Sequence, residues 1–139
     1  MHRDLKLENI FLDKDYYPKI GGFSLAIEAE EKNHNSVIGA PIYKSPEIIK
    51  FEKYTKAGDV YSYGILICFL MTSKNSIQFK NQYYAFLKIV KGYRHEIPSD
   101  MPECYHKLIT KCWSNQVEER PTFDDIVKEL KTNKQFITS

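Results

Sequence analysis

The sequence lacks an excess of either charge: 20 Lys and Arg stand against 18 Asp and Glu, for a net charge of +2. The two signs are interleaved, which leaves no basic stripe to track a phosphate backbone, so nucleic acid is not an expected partner. Long apolar runs are also missing. The most apolar stretch, residues 63–71 (YGILICFLM), is far below the about 20 residues that span a bilayer, which excludes a membrane helix there. The first residues are charged and have no apolar run, unlike a secretory signal. Cysteines are few and odd in number, Cys68, Cys104 and Cys112; this is the pattern of reduced thiols in a cytoplasmic protein rather than of a disulfide framework. A zinc site from Cys104, His106 and Cys112 is not expected, because neighbours two apart on a helix diverge and Cys112 lies about 12 Å further along it. No internal repeat or low-complexity tract is present. What is present, 139 residues of which 42% are hydrophobic and 27% charged, suits one folded domain.

Strand signals are confined to the first third. Ile10-Phe11-Leu12 is a short apolar run closed by the polar turn Asp13-Lys14-Asp15, and a second short strand follows near Pro18 to Ile20, giving a hairpin. Residues 21–45 have no sustained periodicity and carry the charged patch EAEEK, so they read as one long loop, of a length that is uncommon unless functional or disordered. From Ser45 onward helices dominate. Ser45-Pro46 supplies an N-cap and an N1 proline. Residues 56–71 are apolar on nearly every face after Asp59, as a buried central helix requires. Residues 81–91 carry an apolar stripe and stop at Gly92, a C-terminal cap. Another helix starts at Pro102 and runs to Trp113, and Thr122 with Asp125 forms a capping box for the last, which ends near Thr132. The expected fold is mainly α, with a short β hairpin at the N-terminal end and a buried central helix.

The strongest motif is HRDLKLEN, residues 2–9. With its histidine, arginine and aspartate followed by Lys6 and Asn9, it resembles the catalytic loop of protein kinases. The resemblance continues in order and spacing over nearly the whole chain. GAPIYKSPE (residues 39–47) is similar to the end of a kinase activation segment, DVYSYG (59–64) to the start of the central helix of the larger lobe, and CW with RPTF (112–113 and 120–123) to that lobe's closing helices. The implied fold is a protein-kinase-like C-lobe over residues 1–133, with 134–139 as a C-terminal tail. The implied roles follow from phosphoryl-transfer chemistry. Asp4 would accept the proton of an attacking hydroxyl, Lys6 would steady charge on the phosphoryl oxygens, and Asn9 would offer an amide oxygen to Mg2+. Structural roles go to Glu47 and Arg120, which pair in the family, and to Asp59, which holds the loop backbone. His2 and Phe23 match members of an apolar spine, with Phe23 as readily core as exposed ring. Lys6 suggests Ser/Thr chemistry and the CW…RPTF ending suggests the tyrosine-kinase-like branch.

Four departures from the family pattern bear on activity. GGFSLA stands where kinases carry DFG, so Gly22 replaces the aspartate that grips magnesium, and Ser24 replaces the motif's last glycine. A metal clamp contributes several kcal/mol to such a step, and ~4 kcal/mol is about a thousandfold in rate. No glycine-rich loop or strand lysine for the ATP phosphates occurs in these residues, and Gly21-Gly22 lacks the spacing to replace the former. Ala40 stands where a threonine is usual, and Phe11 occupies the floor of the adenine pocket. The expected function is therefore an inactive pseudokinase or fragment that engages protein partners through its helical lobe, including residues 81–93. The alternative is an ATP- and Mg2+-dependent Ser/Thr kinase whose smaller lobe is encoded upstream. A lobe alone would leave the face of Ile10, Phe11, Leu12 and Phe23 uncovered and open to association.

Other residues carry blander expectations. Arg3, which in the family pairs with a phosphorylated activation loop, reads here as a solvated arginine without a partner, though Ser36 and Tyr43 are candidate phosphorylation sites. Glu28, Glu30 and Glu31 read as a solvated loop, Leu66 and Leu70 as core, and His34, His95 and His106 as loop or surface histidines.

Overall fold

The computed structural model describes residues 1–28, 40–72 and 79–136. A two-stranded antiparallel hairpin, β1 (Ile10–Leu12) and β2 (Pro18–Ile20), pairs Ile10 with Ile20 and Leu12 with Pro18. Its turn is fastened by the Asp13 carboxylate, which accepts the backbone N–H groups of Asp15 and Tyr17 at 2.9 and 3.0 Å. Five helices follow among the described residues: α1 (Pro46–Ile49), α2 (Lys56–Thr72), α3 (Gln82–Val90), α4 (Glu103–Cys112) and α5 (Phe123–Thr132). Short 3-10 turns at Leu7–Asn9, Phe23–Leu25, Pro41–Tyr43, Val117–Glu119 and Lys134–Phe136 join them. Fold class and hairpin are those expected from the sequence.

Helix α2 is the axis. One side packs Tyr61, Ile65 and Phe69 with Ile42, Tyr43, Ile109 and Trp113, while the other sets Val60 against Cys104, Leu108, Cys112 and Ile126. The close approach of α2 and α4 depends on Gly64, since a Cβ there would come within 2.7 Å of the Cys112 Cβ. All three cysteines are free and buried. Among the described residues no helix is long and apolar enough to cross a membrane.

The ends of the elements follow local chemistry. Asn81 caps α3 by accepting the Tyr84 N–H, and Gly92, at φ 93°, ends that helix in the left-handed conformation that glycine tolerates. Thr122 and Asp125 form a reciprocal capping box at α5. Ser45 behaves differently from expectation: its hydroxyl does not cap α1 but donates to the Glu47 carboxylate at 2.6 Å.

Two expectations about burial are corrected. Leu70 is 54% exposed, because the last turn of α2 emerges from the core, whereas Leu66 is buried. His95 is buried, with its ring against Phe69 and Tyr93 at centroid distances of 4.7 and 5.6 Å. Burial first, and the Arg94 charge second, push its pKa down to about 4. His106 is exposed, and His34 lies outside the described residues. Beyond α5, Phe136 turns back into the core and meets the Tyr105 ring edge-on at a centroid distance of 5.0 Å, so this part of the segment read as a tail is packed.

Candidate active site

The site is built on a loop bound to the N-terminal end of α2. Asp59, in the first turn of that helix, accepts the backbone N–H of His2 through Oδ2 and that of Arg3 through Oδ1, each at 2.8 Å. Tyr54 donates its hydroxyl to the same Oδ1 at 2.9 Å. Three donors therefore hold one buried carboxylate, which makes it a rigid bracket for the loop. The His2 ring completes the local frame. Its Nδ1 accepts the Asp4 N–H at 3.2 Å, so Nε2 carries the proton and donates to the Gly21 carbonyl at 2.8 Å. The ring also packs on Phe23 with centroids 4.8 Å apart.

This frame brings Asp4, Lys6 and Asn9 together. The Lys6 ammonium lies 3.0 Å from the Asp4 carboxylate. Asn9 donates its side-chain N–H to the Asp4 carbonyl at 2.7 Å and to the Asp4 carboxylate at 3.0 Å. Its backbone carbonyl accepts the Gly21 N–H at 2.9 Å, which ties the loop to the end of the hairpin. Gly22 follows at φ 76°, and a Cβ built on it would overlap the Asn9 amide. The space that a side chain at position 22 needs is thus filled by Asn9. Phe11 is 56% exposed with its ring above Gly21, and Phe23 is 60% exposed despite its contact with His2. Leu12 and Ile20, on the opposite face of the hairpin from Phe11, are exposed as well, whereas Ile10, expected to be uncovered, is half-buried against the core.

Beneath the loop lies a buried ionic lattice. Arg120 donates to the two oxygens of Glu47 at 2.7 and 2.9 Å, to the Ala57 carbonyl at 3.0 Å and to the Ser114 carbonyl at 3.0 Å. For Glu47, burial is the largest single influence and raises the pKa. The hydrogen bonds from Arg120 and Ser45, with the Arg120 charge, together outweigh it and hold the carboxyl below its ordinary 4.5.

Several site expectations change. Arg3 is not solvated. It is 5% exposed, has φ 70°, and carries its guanidinium over the Tyr54 ring at 5.6 Å. Tyr43 is buried and its hydroxyl accepts the Leu7 N–H at 3.4 Å, so a modifying enzyme cannot reach it in this fold; burial pushes its pKa up to about 12. Ser36, Glu30 and Glu31 lie outside the described residues, and Glu28 is exposed. Two residues were missed by motif reasoning: Tyr54, and Lys44, which is buried and donates to the Arg3 carbonyl at 2.5 Å. A signal for Lys44 exists in the sequence, since it is the lone cation between Ile42 and Ile49, a segment that also holds Tyr43, Pro46 and Ile48.

Comparison with known proteins agrees with this geometry. The family model described as protein tyrosine and serine/threonine kinase matches residues 1–130. A serine/threonine-protein kinase/receptor of Acanthamoeba polyphaga mimivirus is 36% identical over 130 residues, covering 94% of this chain and 8% of that protein. In Dictyostelium discoideum, the dual specificity protein kinase pyk3 is 37% identical over 135 residues (96% of this chain, 10% of that protein). The dual specificity protein kinase shkC is 32% identical over 136 residues (94% and 27%). The chain thus spans about a quarter or less of each of these relatives. With the loop, its bracket and the buried ion pair all in place, and the family model matched over residues 1–130, the chain belongs to the protein tyrosine and serine/threonine kinase family.

Proposed function

We propose that this chain is a kinase larger lobe that does not itself transfer phosphate, a pseudokinase that works as a protein-binding module. The observation that carries the reading is the pairing of Gly22 with Asn9. The family uses ATP and Mg2+, and a magnesium clamp needs hard oxygen donors. Position 22 offers no side-chain donor, and the Asn9 amide fills the room where one would stand, with its NH2 turned onto Asp4. That donor set does not fit a two-ligand metal clamp. Without it, Asp4 and Lys6 hold their positions but have no anchored triphosphate to act upon. Protein partners would meet the helical surface around α3, where Tyr83 and Leu87 are exposed, with the exposed apolar side chains of the hairpin as a further place of association.

A second reading is favoured by one observation, the 3.0 Å Lys6–Asp4 contact in a loop braced by Asp59. On this reading the chain is part of an ATP-dependent Ser/Thr kinase, active when a smaller lobe completes the nucleotide site. A thermal-shift titration with ATP and magnesium, run on the chain joined to a kinase smaller lobe, separates the two, alongside transfer of labelled phosphate to a peptide. No shift and no labelling are expected. A ligand at 100 times its Kd stabilises a protein by about 2.7 kcal/mol; a rise in Tm of that order would overturn the binding-module reading in favour of the second.

A further inference from the structure

Arg3 has a side chain and yet sits at φ 70°, a conformation that such residues keep only where their surroundings enforce it. The enforcement comes from both sides. On one, the Asp59 carboxylate receives the Arg3 N–H and the His2 N–H, which fixes the peptide plane before the Arg3 Cα. On the other, the Lys44 ammonium donates to the Arg3 carbonyl, which fixes the peptide plane after it. An anion grips the donor end and a cation grips the acceptor end of a single residue.

The second grip has a firm base. Ser62, on α2, donates to the Tyr43 carbonyl at 2.7 Å, and the Tyr43 hydroxyl accepts the Leu7 N–H at 3.4 Å. The backbone from which Lys44 projects is therefore tied to the central helix and to the far end of the same loop. Lys44 is 3% exposed, and a cation is buried to that degree only when the fold uses it. Asp4, Asp59, Arg3 and Lys6 are the charged groups around it. Burial pushes its pKa down to about 8, while Asp4 and Asp59 pull upward. The plane that Lys44 grips is the Arg3–Asp4 peptide, so the direction in which Asp4 leaves the backbone depends on it.

We infer that Lys44 is a positioning residue: with Asp59 it clamps the two peptide planes flanking Arg3 and so sets the orientation of Asp4 and of the loop that carries it. The inference deepens the reading of residues 2–9 as a phosphoryl-transfer loop, and it concerns loop geometry whether or not the chain turns over. It also makes the stretch around residues 41–45 the element on which that loop depends, so a displacement of this stretch is felt at Asp4.

The test is backbone hydrogen exchange, read by NMR on the full chain and its Lys44→Met variant, which keeps the apolar stem and removes the ammonium. Protection of the His2, Arg3 and Asp4 amides is expected to fall about 10- to 100-fold, with the Ile126 amide in α5 unchanged. A uniform fall across the chain, or no change at residues 2–4, overturns the inference, since a general loss of stability would lower every amide alike. Should Lys44→Met not fold, the wild-type chain supplies the answer. With 15N-lysine and carbonyl-13C arginine, a through-hydrogen-bond coupling between Lys44 Nζ and the Arg3 carbonyl supports the clamp, and its absence overturns it. Neither readout involves ATP, so failure here is distinct from failure of the proposed function.

Discussion

Removing the Arg120 guanidinium tests the buried lattice most directly. Arg120→Met keeps the stem and deletes four hydrogen bonds, two of them to Glu47, along with the contact over the Tyr61 ring at 5.2 Å. Among the described residues, Glu47 is then left buried with the Ser45 hydroxyl as its remaining side-chain donor. Breaking a buried pair by removing one partner costs about 3–5 kcal/mol, because the other charge stays desolvated. For a chain of 139 residues, an unfolding entropy of about 2.1 cal/mol/K per residue converts this to a fall in Tm of roughly 10–17 °C.

The pH dependence has a definite sign. In the wild type, the Glu47 pKa is below its unfolded value, so its contribution is present above pH 4.5 and is lost as the pH falls through the folded pKa. In Arg120→Met, burial acts on the carboxyl without the opposing guanidinium, and its pKa rises above the ordinary value. The penalty is then relieved on acidification, so the gap between the two proteins narrows from pH 7 towards pH 5. Adding Glu47→Gln to the variant removes the stranded charge and should restore about 1–3 kcal/mol. Urea unfolding and thermal melts, both followed by far-UV circular dichroism at the two pH values, give all of these quantities. A Tm loss under about 3 °C, or a double variant no better than Arg120→Met alone, would refute the account of Arg120 and Glu47 as a buried charge pair.

Two further outcomes follow from the core. His95 has a folded pKa of about 4 against an ordinary 6.5, so the unfolded chain binds a proton between those values while the folded chain does not. Stability should therefore fall by about 3 kcal/mol as the pH drops through that window. His95→Phe, which keeps the ring contacts with Phe69 and Tyr93, should flatten this part of a calorimetric stability profile; an unchanged slope would show that His95 is not its source. Gly64→Ala places a methyl group against the Cys112 Cβ and should cost about 1–3 kcal/mol by forcing α2 and α4 apart. A denaturation midpoint equal to wild type would mean that the two helices do not pack at this distance.

Legibility from the sequence tracks how local the cause is. The hairpin, the Gly92 stop and the Thr122–Asp125 box are decided by neighbours a few residues apart, and each is where the sequence puts it. The site motif was also legible, since residues 2–9 form a continuous stretch. The failures have distant causes. Arg3 is buried because Tyr54 lies under its guanidinium, and Lys44 because a carbonyl lies 41 residues earlier in the chain. His95 stands between Arg94 and Glu96, a polar context, and its burial depends on rings from Phe69 and Tyr93. Leu70 fails in the opposite direction: helix periodicity assigns it a face but cannot say that the core stops before the final turn of α2.

Trp113, the sole tryptophan, is buried where α4 ends, and its carbonyl receives the Arg94 side chain at 2.9 Å. The molecule therefore carries its own optical reporter. Loss of the packing around α2 moves this indole into water, and a red shift of its emission follows unfolding of the lobe without any attached dye.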